Sequence, residues 1–313
     1  VTEMMTALRA HRRGGPEQLV LERAPRPVPA AGEVLVAVHA AGITFDELTW
    51  EETWTRDGAS RVPVIPSHEV SGVVTAVAGD VTDFAPGAEV YGLIGFDRDG
   101  AAADFVAVPA ADLATKPSTV SHAAAAALPL AGLTALQALV DHAAVQPGET
   151  VLVHGGAGGV GLLTVQLAAL LGAQVTATVR NDTTNLLRGC GAQRVIDVRT
   201  EAFDETGAGY DVVIDTVGGQ TLERSYGVLR RGGRLVTLSA PPPAGRADEF
   251  GVSATFFIVT PNRDQLDELA ALVDSDRLHV AIAQTFALDE GREAFESRES
   301  GRRAGKTVLI VRD

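Results

Sequence analysis

The sequence predicts an α/β protein in which a small barrel-like β domain accompanies a doubly wound parallel sheet of six strands. Three observations carry that prediction. Residues 150–172, TVLVHGGAGGVGLLTVQLAALLG, read as a short apolar strand, a glycine-rich turn and an unbroken run of helix formers. From there on, strand patterns at 151–154, 175–179, 194–197, 211–215, 234–238 and 255–259 alternate with helical stretches. Before it, residues 1–120 form short strand-like runs punctuated by Gly and Pro.

Taken in order, residues 5–9 and 19–22 are a candidate strand pair joined by HRRGGPEQ. The proline-rich loop 23–32 follows, then EVLVAVHAAGI (33–43), which alternates and then runs apolar as a strand does. Residues 70–77, 89–93 and 103–108 are further strands. Between two of them lies a segment holding both tryptophans, Trp50 and Trp54, whose spacing puts them on one face if the segment is helical. They are either a buried aromatic anchor or a wall of an apolar cleft. Residues 121–144 read as helix, a break at Pro129 and Gly132, then helix. Residues 262–274 (NRDQLDELAALVD) form an amphipathic helix, and GKTVLIVRD reads as a final strand that periodicity alone assigns to neither domain.

Composition narrows the function. A chain of 313 residues has room for two domains, and 46% hydrophobic with 21% charged residues is an ordinary globular balance. Forty acidic against 26 basic residues give a net charge of −14, which repels nucleic acid and anionic membranes, and no basic run offsets it. A single cysteine, Cys190, excludes an intrachain disulfide and a multi-cysteine zinc site. Its setting, LLRGCGA, suits packing. The N-terminal stretch lacks the apolar core of a signal peptide, and the most apolar region, 122–140, is Ala-rich and interrupted. A cytoplasmic location is the expectation, with no membrane and no nucleic-acid partner.

Within the turn, Gly156, Gly158 and Gly161 fit G-x-G-x-x-G. Such glycines make a tight turn, let backbone approach a pyrophosphate and let helix pack on strand; the N–H groups at the helix start, from Gly159 on, then hold phosphates. The second strand of this unit ends in Arg180, 19 residues after Gly161. An acid there would accept from the ribose hydroxyls of NAD, whereas Arg offers a planar fork to the 2′-phosphate of NADP. Asn181 and Thr183 add neutral donors, and Asp182 counts against. NADP(H) is therefore the expected cofactor.

Eight segments, in order, resemble the medium-chain dehydrogenase/reductase superfamily: VLVAVHAAGI (34–43), VIPSHEVSGVV (64–74), GAEVYGLIG (87–95), AAALPLAGLTALQAL (125–139), PGETVLVHGGAGGVG (147–161), GYDVVIDTVGG (209–219), LRRGGRLVTL (229–238) and GKTVLIV (305–311). The nearer likeness is to zinc-independent quinone oxidoreductases and related NADPH-dependent alkenal and enoyl reductases. The resemblance implies a GroES-like domain from residues 1–122 and 260–313, a Rossmann domain from 123–259, a cleft between them and a homodimer built through the Rossmann sheet edges. It sends the final strand back to the first domain. It also implies cofactor contacts from Thr134, Val160, Asp215, Val217, Gly218 and Ser239, with Phe257 and Ile258 of the sixth strand beside the nicotinamide. Asp215 has a second reading, as an acid that caps the turn after its own strand.

His68-Glu69 in PSHEVSG matches the GHE signature that supplies a histidine ligand in zinc-dependent members. The first metal cysteine of those members falls near Thr44 here, and Ser67 replaces the usual glycine. An oxygen-rich imitation from His68, Glu69 and Asp46 lacks the usual ligand set, so no metal is expected. The resemblance implies hydride transfer from NADPH to a quinone or a conjugated alkenal or enone, without metal. Zinc-free relatives often carry Asn near Thr44 and Tyr soon after; here those places hold Thr44 and Thr49-Trp50. Thr44 and Tyr91 are the candidate hydrogen-bond donors, and Phe45, Trp50, Trp54 and Phe96 the candidate walls of a pocket for an apolar, planar small molecule. Arg98 offers a charge to an anionic substrate. The alternatives are an enoyl-thioester reductase, a zinc-dependent alcohol dehydrogenase and a non-catalytic NADPH-binding protein.

Overall fold

The computed structural model describes residues 3–205, 207, 209–299 and 303–312. The chain divides into two units, Val1–Leu133 with Thr260–Asp313, and Thr134–Val259.

The first unit is built on a sheet with the order Ile282–Ala287, Lys306–Ile310, Glu33–Ile43, Glu69–Val77, Glu89–Leu93, Leu113–Thr115, and Phe105–Pro109 also pairs with Glu33–Ile43. The long strand Glu33–Ile43 is central, which is why it reads as alternating and then continuously apolar: Val34, Val36, Val38, Ala41 and Ile43 all enter one core. Met4–Ala10 and Leu19–Pro25 pair antiparallel, the strand pair expected from residues 5–9 and 19–22 with HRRGGPEQ between them. The final strand Lys306–Ile310 runs antiparallel to Glu33–Ile43, with Thr307 opposite Ile43, so it belongs to this unit. Gly42 faces Glu69 across the sheet. A Cβ there would lie 2.6 Å from the Ala126 carbonyl and 2.7 Å from Glu69 Oε2, so only glycine lets these groups approach.

The break expected at Pro129 and Gly132 lies earlier. His122–Ala126 ends, and Pro129 opens the next helix, Pro129–Leu136, where its missing N–H costs nothing. Gly132 sits inside that helix because a Cβ would come 2.8 Å from Leu269 and 3.0 Å from Leu128. The chain then continues as a π-helical turn over Gln137–His142.

The second unit is a six-stranded sheet in the order Arg194–Asp197, Gln174–Val179, Thr150–His154, Tyr210–Asp215, Leu229–Thr237, Ser253–Phe256, every pairing parallel. The strand after which the glycine turn comes therefore lies at the point where the order reverses, the usual place for a ligand at the carboxyl ends. Val151, Leu152, Val153, Val212, Val213 and Ile214 are wholly buried, as strands covered on both faces must be. The sixth strand ends at Phe256, so Phe257 and Ile258 lie in the segment after it instead of within it. Cys190 is half-buried, and burial pushes its thiol up, which suits packing over reactivity. Among the described residues no helix is long and apolar enough to cross a membrane.

Candidate cofactor cradle and active site

Three glycines of the turn, Gly155, Gly156 and Gly161, have a measurable reason to be there. Gly155, outside the G-x-G-x-x-G set, takes the left-handed conformation that turns the chain, with φ +70°. A Cβ on Gly156 would lie 2.9 Å from Ala177 Cβ, and one on Gly161 would lie 2.2 Å from the Gly155 carbonyl oxygen. Gly156 thus seats the turn on the neighbouring strand, and Gly161 seats the helix on the turn. Gly158 is exposed, in extended conformation at the N-cap of Gly159–Leu170, and no side chain caps that helix. The N–H groups of Gly159, Val160 and Gly161 have no intrahelical acceptor by construction, and the helix dipole is positive at this end. A pyrophosphate fits this uncapped, side-chain-free cradle.

The residues around the cradle sort into contacts and supports. Arg180 is exposed directly after Val179, and no hydrogen bond or ion pair engages it among the described residues. Thr183 Oγ1 donates to Asn181 Oδ1 at 2.7 Å, so these two brace the same loop. A cation that sequence reasoning missed lies alongside: the Val198 N–H donates to the Val179 carbonyl at 3.0 Å, which brings Arg199 beside this loop. Arg199 is clamped by Asp197, and its hydrogen bonds hold that carboxyl down at about 2. The signal was a third strand ending in Asp197 with Arg two residues on.

Asp215 is wholly buried, and its carboxylate accepts from the Val217 N–H at 3.0 Å, the Gly218 N–H at 3.0 Å, Thr237 Oγ1 at 3.1 Å and Ser239 Oγ at 3.2 Å. It caps the turn after its strand and ties the fourth strand end to the fifth; a Cβ on Gly218 would meet Ser239 Oγ at 2.5 Å. Beyond these supports Val217 is 46% and Ile258 54% exposed, large apolar groups at the carboxyl ends of the sheet. Phe257 packs on the His142 ring at 4.2 Å between centroids. Thr134 is buried in its helix. His154, which sequence reasoning passed over, is wholly buried between Thr178 Oγ1 at 3.1 Å and Ser225 Oγ at 3.0 Å. Desolvation brings its pKa down to about 4, so it is a neutral structural imidazole.

In the first unit the candidate chemistry gathers at the end of strand Glu33–Ile43. Thr44 is half-buried, and its Oγ1 lies 3.2 Å from Lys306 Nζ, the donor. Lys306 is ion-paired with Glu69 Oε2, and Glu69 Oε1 accepts the Leu130 N–H at 2.9 Å. Glu47 and His68 lie beside them: Glu47 Oε2 accepts the Ser67 N–H at 3.0 Å and sits 3.6 Å from His68 Nε2. Ser67, with φ +71°, takes the conformation that the usual glycine adopts freely. Burial pushes the Glu47 carboxyl up to about 8 and the His68 imidazole down to about 3, so both are neutral near neutrality. Lys306 and Glu47 are the members of this cluster that sequence reasoning missed; the final GKTVLIV strand, once placed beside 34–43, identifies the first of them.

The aromatic candidates separate. Trp50 packs edge-on against Phe96 at 4.9 Å, and Phe96 packs edge-on against His68 at 5.4 Å, so Trp50 and Phe96 form one apolar wall beside the polar cluster. Phe45 is half-buried against the core. Trp54 is a correction: helix covers only Glu51–Trp54, Trp50 is its extended cap, and Trp54 is buried in the core with Nε1 donating to the Leu48 carbonyl at 2.9 Å. Tyr91 is another, wholly buried with its hydroxyl donating to the Leu266 carbonyl at 2.5 Å, hence unavailable to a substrate. Asp46 is ion-paired with Arg298, and Arg98 with Glu33.

The donor set around His68 does not suit zinc. Among the described residues no group of three His, Cys, Asp or Glu side chains could hold a metal. Glu69 is ion-paired with Lys306, whose ammonium also lies 3.2 Å from Thr44 Oγ1.

Residues 30–118 match the family described as alcohol dehydrogenase GroES-like domain, and residues 190–309 the family described as zinc-binding dehydrogenase. The chain is 37% identical to the 2-methylene-furan-3-one reductase of Solanum lycopersicum, over 88% of this chain and 71% of that protein. It matches the structure of the quinone oxidoreductase from Coxiella burnetii with a TM-score of 0.91 at 32% identity, over 99% of this chain and 100% of that one. A mycobacterial protein solved in complex with NADPH matches with a TM-score of 0.86 at 30% identity, over 98% and 100%. Polyketide synthases are also similar, and there the likeness is partial: the chain spans 5% of one from Streptomyces halstedii, at 34% identity. With both domain families matched in order and a solved structure alike over 99% of this chain and 100% of its own, the chain belongs to the medium-chain dehydrogenase/reductase superfamily of oxidoreductases.

Proposed function

We propose that this protein is an NADPH-dependent, zinc-free reductase of quinones or conjugated carbonyl compounds. The observation that carries the reading is the use made of Glu69: it balances Lys306 beside Thr44, where zinc-dependent members gather metal ligands. Metal chemistry is thereby replaced by hydrogen-bond donation from protein groups. Gly158, Gly159, Val160 and Gly161 would hold the pyrophosphate and Arg180 the 2′-phosphate. When bound, the cofactor supplies the hydride, and the protein's part is to orient, desolvate and stabilise charge. Trp50 and Phe96 suit a flat apolar substrate, and Thr44 offers its oxygen a donor. The likeness to a quinone oxidoreductase, a furanone reductase and an NADPH complex supports this reading. An enoyl thioester is a second acceptor to weigh, because polyketide synthases are among the similar proteins. Pairing through the Rossmann sheet edges into a homodimer belongs to the same reading, with Ser253–Phe256 as the edge strand.

The test is a steady-state screen of NADPH and NADH against quinones, enones and enoyl thioesters, with metal analysis of the same preparation. NADPH-dependent turnover in chelator-treated protein is expected. Stoichiometric zinc required for activity, or tight NADPH binding with no turnover on any acceptor, would overturn the proposal.

A further inference from the structure

Lys306 is placed by strand register. Thr307 lies opposite Ile43 in an antiparallel pair, so the preceding residue comes opposite Thr44. Its ammonium is held by one other anchor, the buried, ion-paired Glu69, which is itself pinned by the Leu130 N–H. Lys306 is 8% exposed. Gly42 clears the space in which the Glu69 carboxylate reaches it. Lys306 and Glu69 both act on the buried Glu47, and the two opposite charges of the ion pair offset one another. An ammonium only donates, so Thr44 Oγ1 is the acceptor of the 3.2 Å contact. The threonine proton is therefore directed away from Lys306. In a dry setting a donor fed by a cation is strengthened along the chain of hydrogen bonds.

We propose that Lys306 is a positioning residue for reduction of conjugated carbonyls: the Lys306 Nζ–Thr44 Oγ1 contact orients and polarises the Thr44 hydroxyl to donate to the substrate's carbonyl oxygen as negative charge collects there. This rests on the reductase reading above. In that step the new C–H bond at the β-carbon takes its electron pair from a reduced nicotinamide, which is oxidised by two electrons. The C=C pair moves to the α-carbon–carbonyl bond, and the C=O pair comes to rest on oxygen as an enolate. Thr44 stabilises that oxygen, and water supplies the proton that closes the α C–H bond. Quinones, stronger electron acceptors, depend less on a single donor.

The experiment compares wild type, Lys306→Met, Lys306→Arg and Thr44→Val for NADPH oxidation by ethyl vinyl ketone and by para-benzoquinone. Loss of one oxyanion donor lowers kcat by about 100-fold, so Thr44→Val is expected to lose about that much on the ketone and Lys306→Met about 10-fold, each with an unchanged KM for NADPH. The quinone rate is expected to fall by less than about threefold, and Lys306→Arg to recover most of the ketone rate. If Lys306→Met leaves Glu69 unpaired and does not fold, Lys306→Met with Glu69→Gln removes both charges and carries the same expectation. Wild type that reduces the ketone, with lysine variants within about twofold of it or with equal loss on both acceptors, overturns the role of Lys306 alone. Wild type that reduces neither acceptor overturns the reductase reading and this inference with it.

Discussion

Replacing Glu47 by Gln is expected to stabilise the protein near neutrality. Glu47 is 1% exposed, and burial lifts its carboxyl from 4.5 to about 8, while the neighbouring His68 falls from 6.5 to about 3. In the folded state both are neutral near neutrality. In the unfolded chain Glu47 ionises above 4.5 and His68 loses its proton above 6.5. A group with a raised folded pKa contributes stability below its unfolded pKa that is lost as pH rises through the folded one. For the pair this means stability rising from about 3 to 4.5, level from 4.5 to 6.5 and falling from 6.5 to about 8. The glutamine side chain would mimic the neutral acid and keep an acceptor for the Ser67 N–H, but has no proton to lose from the unfolded chain. Roughly 2.5 pH units between 4.5 and neutrality, at about 1.4 kcal/mol each, put the relative gain near 3 kcal/mol as an upper value. Thermal unfolding of wild type and Glu47→Gln across this range measures it. A difference that does not grow from pH 4.5 to neutrality would show that Glu47 is ionised in the fold, and would refute the reasoning.

Further expectations concern the cofactor cradle and the aromatic wall. Arg180→Ala should raise KM for NADPH by about 10-fold and leave KM for NADH unchanged, since a charge-assisted pair to a phosphate is worth about 1.5–3 kcal/mol; an unaltered preference removes Arg180 from the 2′-phosphate site. Gly161→Ala drives a Cβ to 2.2 Å from the Gly155 carbonyl, so NADPH binding measured by fluorescence titration should be lost with a lowered Tm. Asp215→Ala strands the buried Gly218 N–H and Thr237 hydroxyl and should cost about 1–3 kcal/mol for each buried group left unpaired, read by chemical denaturation. Trp54→Ala should destabilise by about 3–5 kcal/mol, whereas Trp50→Ala should leave Tm nearly unchanged and raise KM for the acceptor.

Most of the second unit was legible from residues alone. Apolar runs covered on both faces, a helix former run after a glycine turn and an Arg at the second strand end are all local, and local pattern survives folding. The first four strand boundaries moved by a residue at most, the fifth strand begins five residues earlier than expected, at Leu229, and at the sixth Phe257 and Ile258 fall beyond Phe256. The first unit's site was legible only in part. Thr44, Phe45, His68 and Glu69 stand close to one another in the sequence or across one strand pair, and the family likeness marked them. The helix that would put Trp50 and Trp54 on one face covers only Glu51–Trp54, so Trp54 is the buried anchor and Trp50 is not, and Tyr91 was lost as a donor because its partner, the Leu266 carbonyl, comes from a distant helix.

What the sequence determined by itself was therefore what adjacent residues decide: the type of most elements and the glycine turn between a strand and a helix. What only the tertiary structure decided was the company each side chain keeps. Lys306 is 262 residues from Thr44 along the chain and 3.2 Å from it in the fold. Charge balance and hydrogen-bond partners in a buried site are set by strand register between distant segments, and no periodicity within either segment carries that register.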